Sequence, residues 1–344
     1  MTLRIAVAGA GAMGRRHIEI IARSKECRLA AVVDPAPAAG DVARGAGVSL
    51  FGSLDELFAA DKPDGVIIAT PNRLHADHAL ACVAARAPAL IEKPVADTIE
   101  AGERLCAAGD EAGVPLLAGH HRQHNPLVTK AVEVVRSGAL GRLVAVVGTA
   151  MFPKPTSYYE EEPWRRQAGG GPILINLIHE VGNLRALCGE VQAVQAMASN
   201  AVRGFAVEDT VAIGLQFVSG ALGTFLLSDT AAAAQSWEQT TGENPDYPTY
   251  PDEDCYLIAG TQGSLAFPTL RLRRFDGEPS WWTPMRQEAL AAPRLDPLDA
   301  QLANFCAVIR GEARPVVTAR DGLANLRVVE AIARAARERC RIVL

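Results

Sequence analysis

Near the start of the chain, Gly9-Ala10-Gly11-Ala12-Met13-Gly14 has the glycine spacing that can wrap a diphosphate. In such a loop the first glycine permits a tight turn, the second lets the backbone approach a pyrophosphate, and the third lets helix and strand pack closely. A helix opening at this point adds unpaired N–H groups and a partial positive charge. Asp34, 20 positions after Gly14, can accept hydrogen bonds from both hydroxyls of an adenosine ribose and would repel a 2′-phosphate. These residues point to NAD in preference to NADP. A Gly-x-Gly-x-x-Gly alone is a weak signal, and the strand–loop–helix–strand–acid context makes it specific.

Removing hydride from an alcohol carbon also needs a group that takes the hydroxyl proton. Lys93 is one candidate, held extended by the proline that follows it. His179 is another, because imidazole titrates near neutral pH. Asn176, three residues before His179 on a neighbouring helix face, can hydrogen-bond but cannot act as a base at neutral pH. The run Gly119-His120-His121-Arg122-Gln123-His124-Asn125-Pro126 places three histidines and an arginine together, which suits an anionic or strongly polar substrate. His120 and His124 are four apart, a spacing metals accept, but no acidic or cysteine ligand lies close by and no metal is expected. Tyr158-Tyr159 and Trp164-Arg165-Arg166 are further candidates, since Arg165 or Arg166 could grip a carboxylate with two parallel bonds. A polar, proline-rich stretch at 236–254 reads as a substrate lid, or as an exposed connector or oligomer contact.

The elements that must carry these groups alternate. Apolar runs at 3–8, 29–33, 65–69, 89–91 and 115–118 read as buried strands, separated by helices at 15–23, 53–60, 73–86 and 98–112. Repeated β-α-β units predict a doubly wound parallel sheet whose ligands bind beyond the carboxyl ends of the strands. Asp34, Thr70-Pro71-Asn72, Glu92-Lys93-Pro94 and the histidine-rich run all follow strands and should converge there. Further on, 143–150, 191–201, 207–217, 222–227, 256–259 and 264–267 are strand-like, and 172–187 is helical with Gly189 as its C-cap. A last helix, 319–337, is expected to pack near the N-terminal domain.

A chain of 344 residues suits two domains. Hydrophobic residues at 49% and charged residues at 21% exclude a disordered chain, and a net charge of −5 gives no reason to expect nucleic acid or a membrane surface as partner. Seven scattered cysteines without a Cys-x-x-Cys pair indicate reduced thiols and a cytoplasmic protein. No apolar run reaches the length of a membrane helix.

The motifs GAGAMGRRH at 9–17, ATPNRLHADHA at 69–79, IEKPVA at 91–96, GGGPILINLIHEVGNL at 169–184 and the stretch 302–332 resemble the glucose-fructose oxidoreductase, inositol dehydrogenase and rhizopine-catabolism (Gfo/Idh/MocA) family along nearly the whole chain. The resemblance implies an NAD-binding Rossmann domain at 1–121. It also implies a substrate-binding α/β domain at 122–344 whose open, mainly antiparallel sheet forms a homodimer or homotetramer interface. It implies catalysis by Lys93 and His179, beside which the chemistry of Asn176 suits a positioning group. Many dehydrogenases of the family carry an aspartate four residues before the histidine, and this chain has Ile175 there. The cofactor contacts expected are Gly9, Gly11, Ala12, Met13, Gly14, Asp34, Pro35, Thr70, Pro71, Asn72, His75, Glu92 and Lys93. Those expected for substrate are Lys93, Arg122, His124, Tyr158, Trp164, Arg165, Asn176 and His179. The function implied is NAD(H)-dependent oxidoreduction at a secondary alcohol of a sugar, cyclitol or related polar ring, which a carboxylate could decorate. An NAD-using lyase or glycosidase with transient redox chemistry, and a non-catalytic cofactor sensor, stand as alternatives.

Overall fold

Leu3–Ala8 (β1) is apolar at all but one position and buried along its length, as a strand covered on both faces must be. In the computed structural model, which describes residues 2–344, it lies inside a six-stranded parallel sheet. The other strands are Cys27–Val33 (β2), Ser49–Phe51 (β3), Gly65–Ile68 (β4), Ala89–Ile91 (β5) and Leu116–Ala118 (β6), in the order β3-β2-β1-β4-β5-β6. This is the Rossmann order, and it reverses between β1 and β4, where a crevice opens beyond the strand ends. The crossovers are Ala12–Arg23 (α1), Ala39–Gly45 (α2), Leu54–Ala60 (α3), His75–Ala84 (α4) and Ile99–Ala112 (α5). Ser53 caps α3 by accepting from the Glu56 N–H, and Thr98 caps α5 by accepting from that of Ala101.

Pro126–Arg136 (α6) opens a second unit. Leu143–Met151 (β7), Val191–Ser199 (β8), Thr210–Phe217 (β9), Leu222–Ser228 (β10), Tyr256–Gly260 (β11), Gly263–Phe267 (β12), Arg271–Arg274 (β13) and Arg286–Ala289 (β14) join Ile342–Val343 (β15) in one nine-stranded sheet. Its pairings are antiparallel except between β7 and β10. Side chains alternate between the faces, most plainly along β10. One face packs on α6 and on Ile178–Cys188 (α8), through Val128, Ile178, Val181 and Leu184 against Val146, Ile213 and Phe225. The opposite face shows Val147, Met197, Leu222 and Leu257 to solvent. Thr156–Glu161 (α7) follows β7, and Trp237–Thr240 (α9) lies between β10 and β11.

Pro297–Ile309 (α10) returns to the first unit, where Leu302, Phe305 and Cys306 complete the core around Ile5, Val7 and Ile67. The first unit thus comprises the chain up to Asn125 plus Leu295–Leu326, and the second comprises Pro126–Arg294 plus Arg327–Leu344. In place of the single boundary expected near 121, the chain passes between the units at 125/126, 294/295 and 326/327. The last helix, Ala319–Glu338 (α11), is shared, with Leu323 in the first unit's core and Val328, Val329 and Ile332 in the second's. The stretch 236–254, read as a lid or connector, carries Trp237 in the second core, stacked on Phe267 with ring centroids 5.5 Å apart. No helix among the described residues is long and apolar enough to cross a membrane.

Candidate active site

At the end of β1 the backbone turns through Gly9 at φ +97°, and a Cβ there would lie 2.4 Å from the carbonyl oxygen of Ala69, which follows β4. A Cβ on Gly14 would meet the Gly9 oxygen at 1.8 Å. Only glycine lets these segments touch. A Cβ on Gly11 would meet nothing within 4 Å, so the middle glycine faces open space. Gly11 precedes α1 with no side-chain cap, leaving the first N–H groups of the helix to an incoming group. Ala12, Met13 and Pro35 are exposed beside it. The arrangement fits a dinucleotide diphosphate.

Asp34 follows β2 and is tied to the same loop: its Oδ2 accepts from the Ala10 N–H and its Oδ1 from the Ala36 N–H, both at 2.8 Å. A carboxylate has about four acceptor positions, so two amides leave room for two ribose hydroxyls. After β4, Thr70 is half-buried with its Oγ1 3.1 Å from His78, while Pro71 and Asn72 are exposed. His75 does not behave as a cofactor contact. Its ring nitrogens lie 2.6 Å from the Pro94 carbonyl and 2.7 Å from that of Thr70, so the ring braces two strand-end loops and has no nitrogen left for a ligand.

Glu92 is buried too, and its partner is a residue that motif reading left unassigned. His17 on α1 lies 2.8 Å from Glu92 Oε1, and Oε2 accepts from the Lys93 N–H at 3.2 Å. Burial by itself raises the Glu92 carboxyl, but the hydrogen bond and charge of His17, with Lys93 and His121, outweigh it and hold the group at about 2. The peptide between Lys93 and Pro94 is cis. Burial draws the Lys93 ammonium below its ordinary value, with Glu92 opposing and Arg122 reinforcing.

The histidine-rich run forms a 3₁₀ turn, His121–His124. His120 is buried with its Nε2 3.1 Å from Asn325 Nδ2. Burial and the charge of His121 push His124 down to about 4, so it is neutral near pH 7 and adds no charge toward an anion. Arg122 is buried beside it. The expected positive cluster is accordingly smaller than the residue types suggested. Among the described residues no group of three or more His, Cys, Asp or Glu is arranged to hold a metal ion.

In the second unit, Ile173–Leu177 forms a π turn that leads into α8. Glu208 opens it by accepting from the Ile173 N–H at 2.9 Å. A π turn holds one residue more than an α turn, so comparison by fours across it, as at Ile175, loses its register. Asn176 lies in this turn and accepts a hydrogen bond from Lys154 Nζ at 2.6 Å. His179 is buried on the first turn of α8. That helix is fixed by Glu180, bonded to the Tyr256 hydroxyl, and by Asn183 3.3 Å from the same oxygen. Arg165 lies 3.8 Å above the Tyr158 ring and donates to the Tyr158 carbonyl at 2.6 Å. Trp164 is exposed, its indole N–H donated to Glu162. Lys154, absent from the expected set, stands between two prolines with no motif to mark it.

With this geometry in view, comparison with known proteins assigns the class. Residues 3–120 match the oxidoreductase family with an NAD-binding Rossmann fold, and residues 128–266 match the Gfo/Idh/MocA C-terminal domain. The chain belongs to the Gfo/Idh/MocA family and is an NAD-dependent oxidoreductase. It is 28% identical over 338 residues to the rhizopine catabolism protein MocA of Rhizobium meliloti, covering 95% of this chain and 93% of that one. It is 25% identical over 354 residues to the inositol 2-dehydrogenase of Rhizobium meliloti (strain 1021), covering 99% of each. Among solved structures, the WlbA dehydrogenase of Bordetella pertussis, in complex with NADH and UDP-GlcNAcA, superposes with a TM-score of 0.79 at 26% identity, covering 100% of this chain and 99% of that one.

Two outcomes follow from the first unit. Replacing Asp34 with Ser should cut the preference for NAD over NADP at least about tenfold, the size of one lost charge-assisted contact, in paired binding titrations. Glu92 is held below its ordinary 4.5, so its stabilisation is complete above that pH and is lost as pH falls toward about 2. Denaturant melts should show wild type losing on the order of 2–3 kcal/mol across that window, and a Glu92→Gln variant a flatter pH dependence.

Proposed function

We propose that the protein moves hydride to or from a secondary alcohol of a sugar, cyclitol or related polar ring, with a carboxylated ring among the candidates. One observation carries this reading: an asparagine and a histidine, Asn176 and His179, stand at the start of one well-anchored helix, with Lys154, Tyr158 and Arg165 in the same unit. Hydrogen-bonding and cationic groups of this kind suit a ring rich in hydroxyls. The names of relatives support it, one an inositol dehydrogenase and one bound to a nucleotide-linked sugar acid.

NAD, when bound, supplies the hydride acceptor. The chain's own residues handle the proton and the binding. Gly9, Gly11, Ala12, Met13 and Gly14 hold the diphosphate, and Asp34 the ribose. Lys93, its ammonium destabilised by burial, donates a hydrogen bond to the substrate oxygen. His179 takes the hydroxyl proton in oxidation and returns it in reduction. Asn176 orients the substrate oxygen, and Arg165 receives a carboxylate where the substrate carries one.

The apolar open face of the nine-stranded sheet supports a homodimer or homotetramer, since exposed Val147, Met197, Leu222 and Leu257 form the kind of surface that a second copy covers. Leu222→Glu should lower the mass found by sedimentation, and an unchanged monomeric mass in wild type would remove this assignment.

The test of function is a panel of cyclitols, sugars, sugar acids and their ketones, followed by NADH absorbance. Turnover of at least one member is expected, with His179→Ala slower by about 10²–10⁴-fold. An unchanged rate in that variant would take His179 out of the mechanism. Substrate conversion without net NADH would favour the lyase chemistry, and NADH binding with no conversion a sensor.

A further inference from the structure

Lys154 is fixed from several sides. Its backbone N–H donates to the Asp229 carbonyl at 2.9 Å, and its own carbonyl accepts from Arg203 at 2.9 Å. Asp229 is held in turn by Arg203 Nε at 3.0 Å and by the Tyr159 hydroxyl. The lysine Nζ lies 4.8 Å from the centroid of the Tyr158 ring and donates to Asn176 Oδ1 at 2.6 Å. Lys154 and Asn176 line one small cleft with Phe152, Asp229 and Glu238.

An ammonium has three donors and no acceptor, so only the oxygen of a carboxamide can face it. The carboxamide is planar, and turning Oδ1 toward Lys154 turns both Nδ2 hydrogens the other way. We propose that Lys154 is a positioning residue that locks Asn176 with its N–H donors toward the substrate, so that the asparagine recognises an oxygen that accepts: the carbonyl of a ketone or the alkoxide forming from an alcohol. Released from the lysine, the carboxamide can rotate and present its oxygen, which repels a carbonyl. The inference rests on Asn176 belonging to the substrate site proposed above.

The ionisation of the lysine sets the range of the lock. Burial draws it down to about 8, with Asp229 and Glu238 raising it and Arg165 and Arg203 lowering it. Below that pH the ammonium admits only Oδ1. Above it the neutral amine gains a lone pair that Nδ2 can fill, and the lock loosens.

The test pairs spectra with rates on the full-length, NAD-loaded protein. Side-chain amide signals of ¹⁵N-asparagine-labelled protein, with Asn176 assigned by its loss in Asn176→Asp, are followed in wild type from pH 6.5 to 9.5 and in Lys154→Met and Lys154→Arg at pH 7. The Asn176 pair should shift above pH 8 in wild type, shift likewise in Lys154→Met, and return in Lys154→Arg, whose guanidinium is donor-only. Losing an oxyanion donor outright costs about 10²–10³-fold, so loss of its orientation should lower kcat for ketone reduction about tenfold in Lys154→Met, with KM changing less and Lys154→Arg recovering most of the rate. An Asn176 pair indifferent to both pH and Lys154→Met would overturn the proposal. So would equal losses of kcat in the Met and Arg variants while the Arg spectrum matches wild type. If no panel member is turned over, the substrate reading fails and the spectra alone decide the orientation.

Discussion

A carboxylate in a protein interior must be paired, and the first unit is organised around one such pairing. Burying Glu92 alone would cost several kcal/mol or force it to bind a proton. His17 prevents that, and in doing so it ties α1 to the end of β5, 75 positions along the chain. The helix whose opening amides face the diphosphate site is thereby coupled to the strand end that carries Lys93. The second oxygen of Glu92 holds the Lys93 backbone. One buried ion pair therefore sets both the cofactor cradle and the lysine proposed to act on the substrate.

The second unit also holds a buried glutamate by directed hydrogen bonds. Glu180 on α8 lies in the core, bonded to the Tyr256 hydroxyl, with Asn183 on the same oxygen. Tyr256 stands on β11 in mid-sheet and stacks on Phe267, with centroids 5.3 Å apart. The helix bearing His179 is thus held by polar bonds of fixed direction as well as by apolar packing, which by itself would tolerate sliding. The preceding π turn places Asn176 where Lys154 reaches it.

What could be read from the residues was whatever depends on local pattern. The strand β1, the glycine loop and Asp34 have sequence spacings that geometry dictates. The stretches that become β7 to β10 are strand-like in composition and bounded by turn residues. What escaped depends on partners far along the chain. His17 lies inside a recognised motif, yet nothing near it announces Glu92. Arg271–Arg274 and Arg286–Ala289 are too charged to read as strands and become β13 and β14 by pairing onto β12 and then onto each other. His75 and His124 were legible as polar groups near strand ends, but their carbonyl partners and burial, which decide what they can do, were not. The π turn is a one-residue widening that leaves no periodic trace, and it undoes any comparison by fours.

The return of α10 into the first unit bears on how the protein is made. Leu302, Phe305 and Cys306 sit in the core against Ile5, Val7 and Ile67, so part of the sheet's α1 side stays uncovered until residues 302–306 have left the ribosome. Vectorial synthesis cannot finish the nucleotide domain first and then append the rest. Segments some 300 residues apart mature together, and a nascent chain stalled before residue 300 would carry a partly bare apolar sheet face for chaperones to shield.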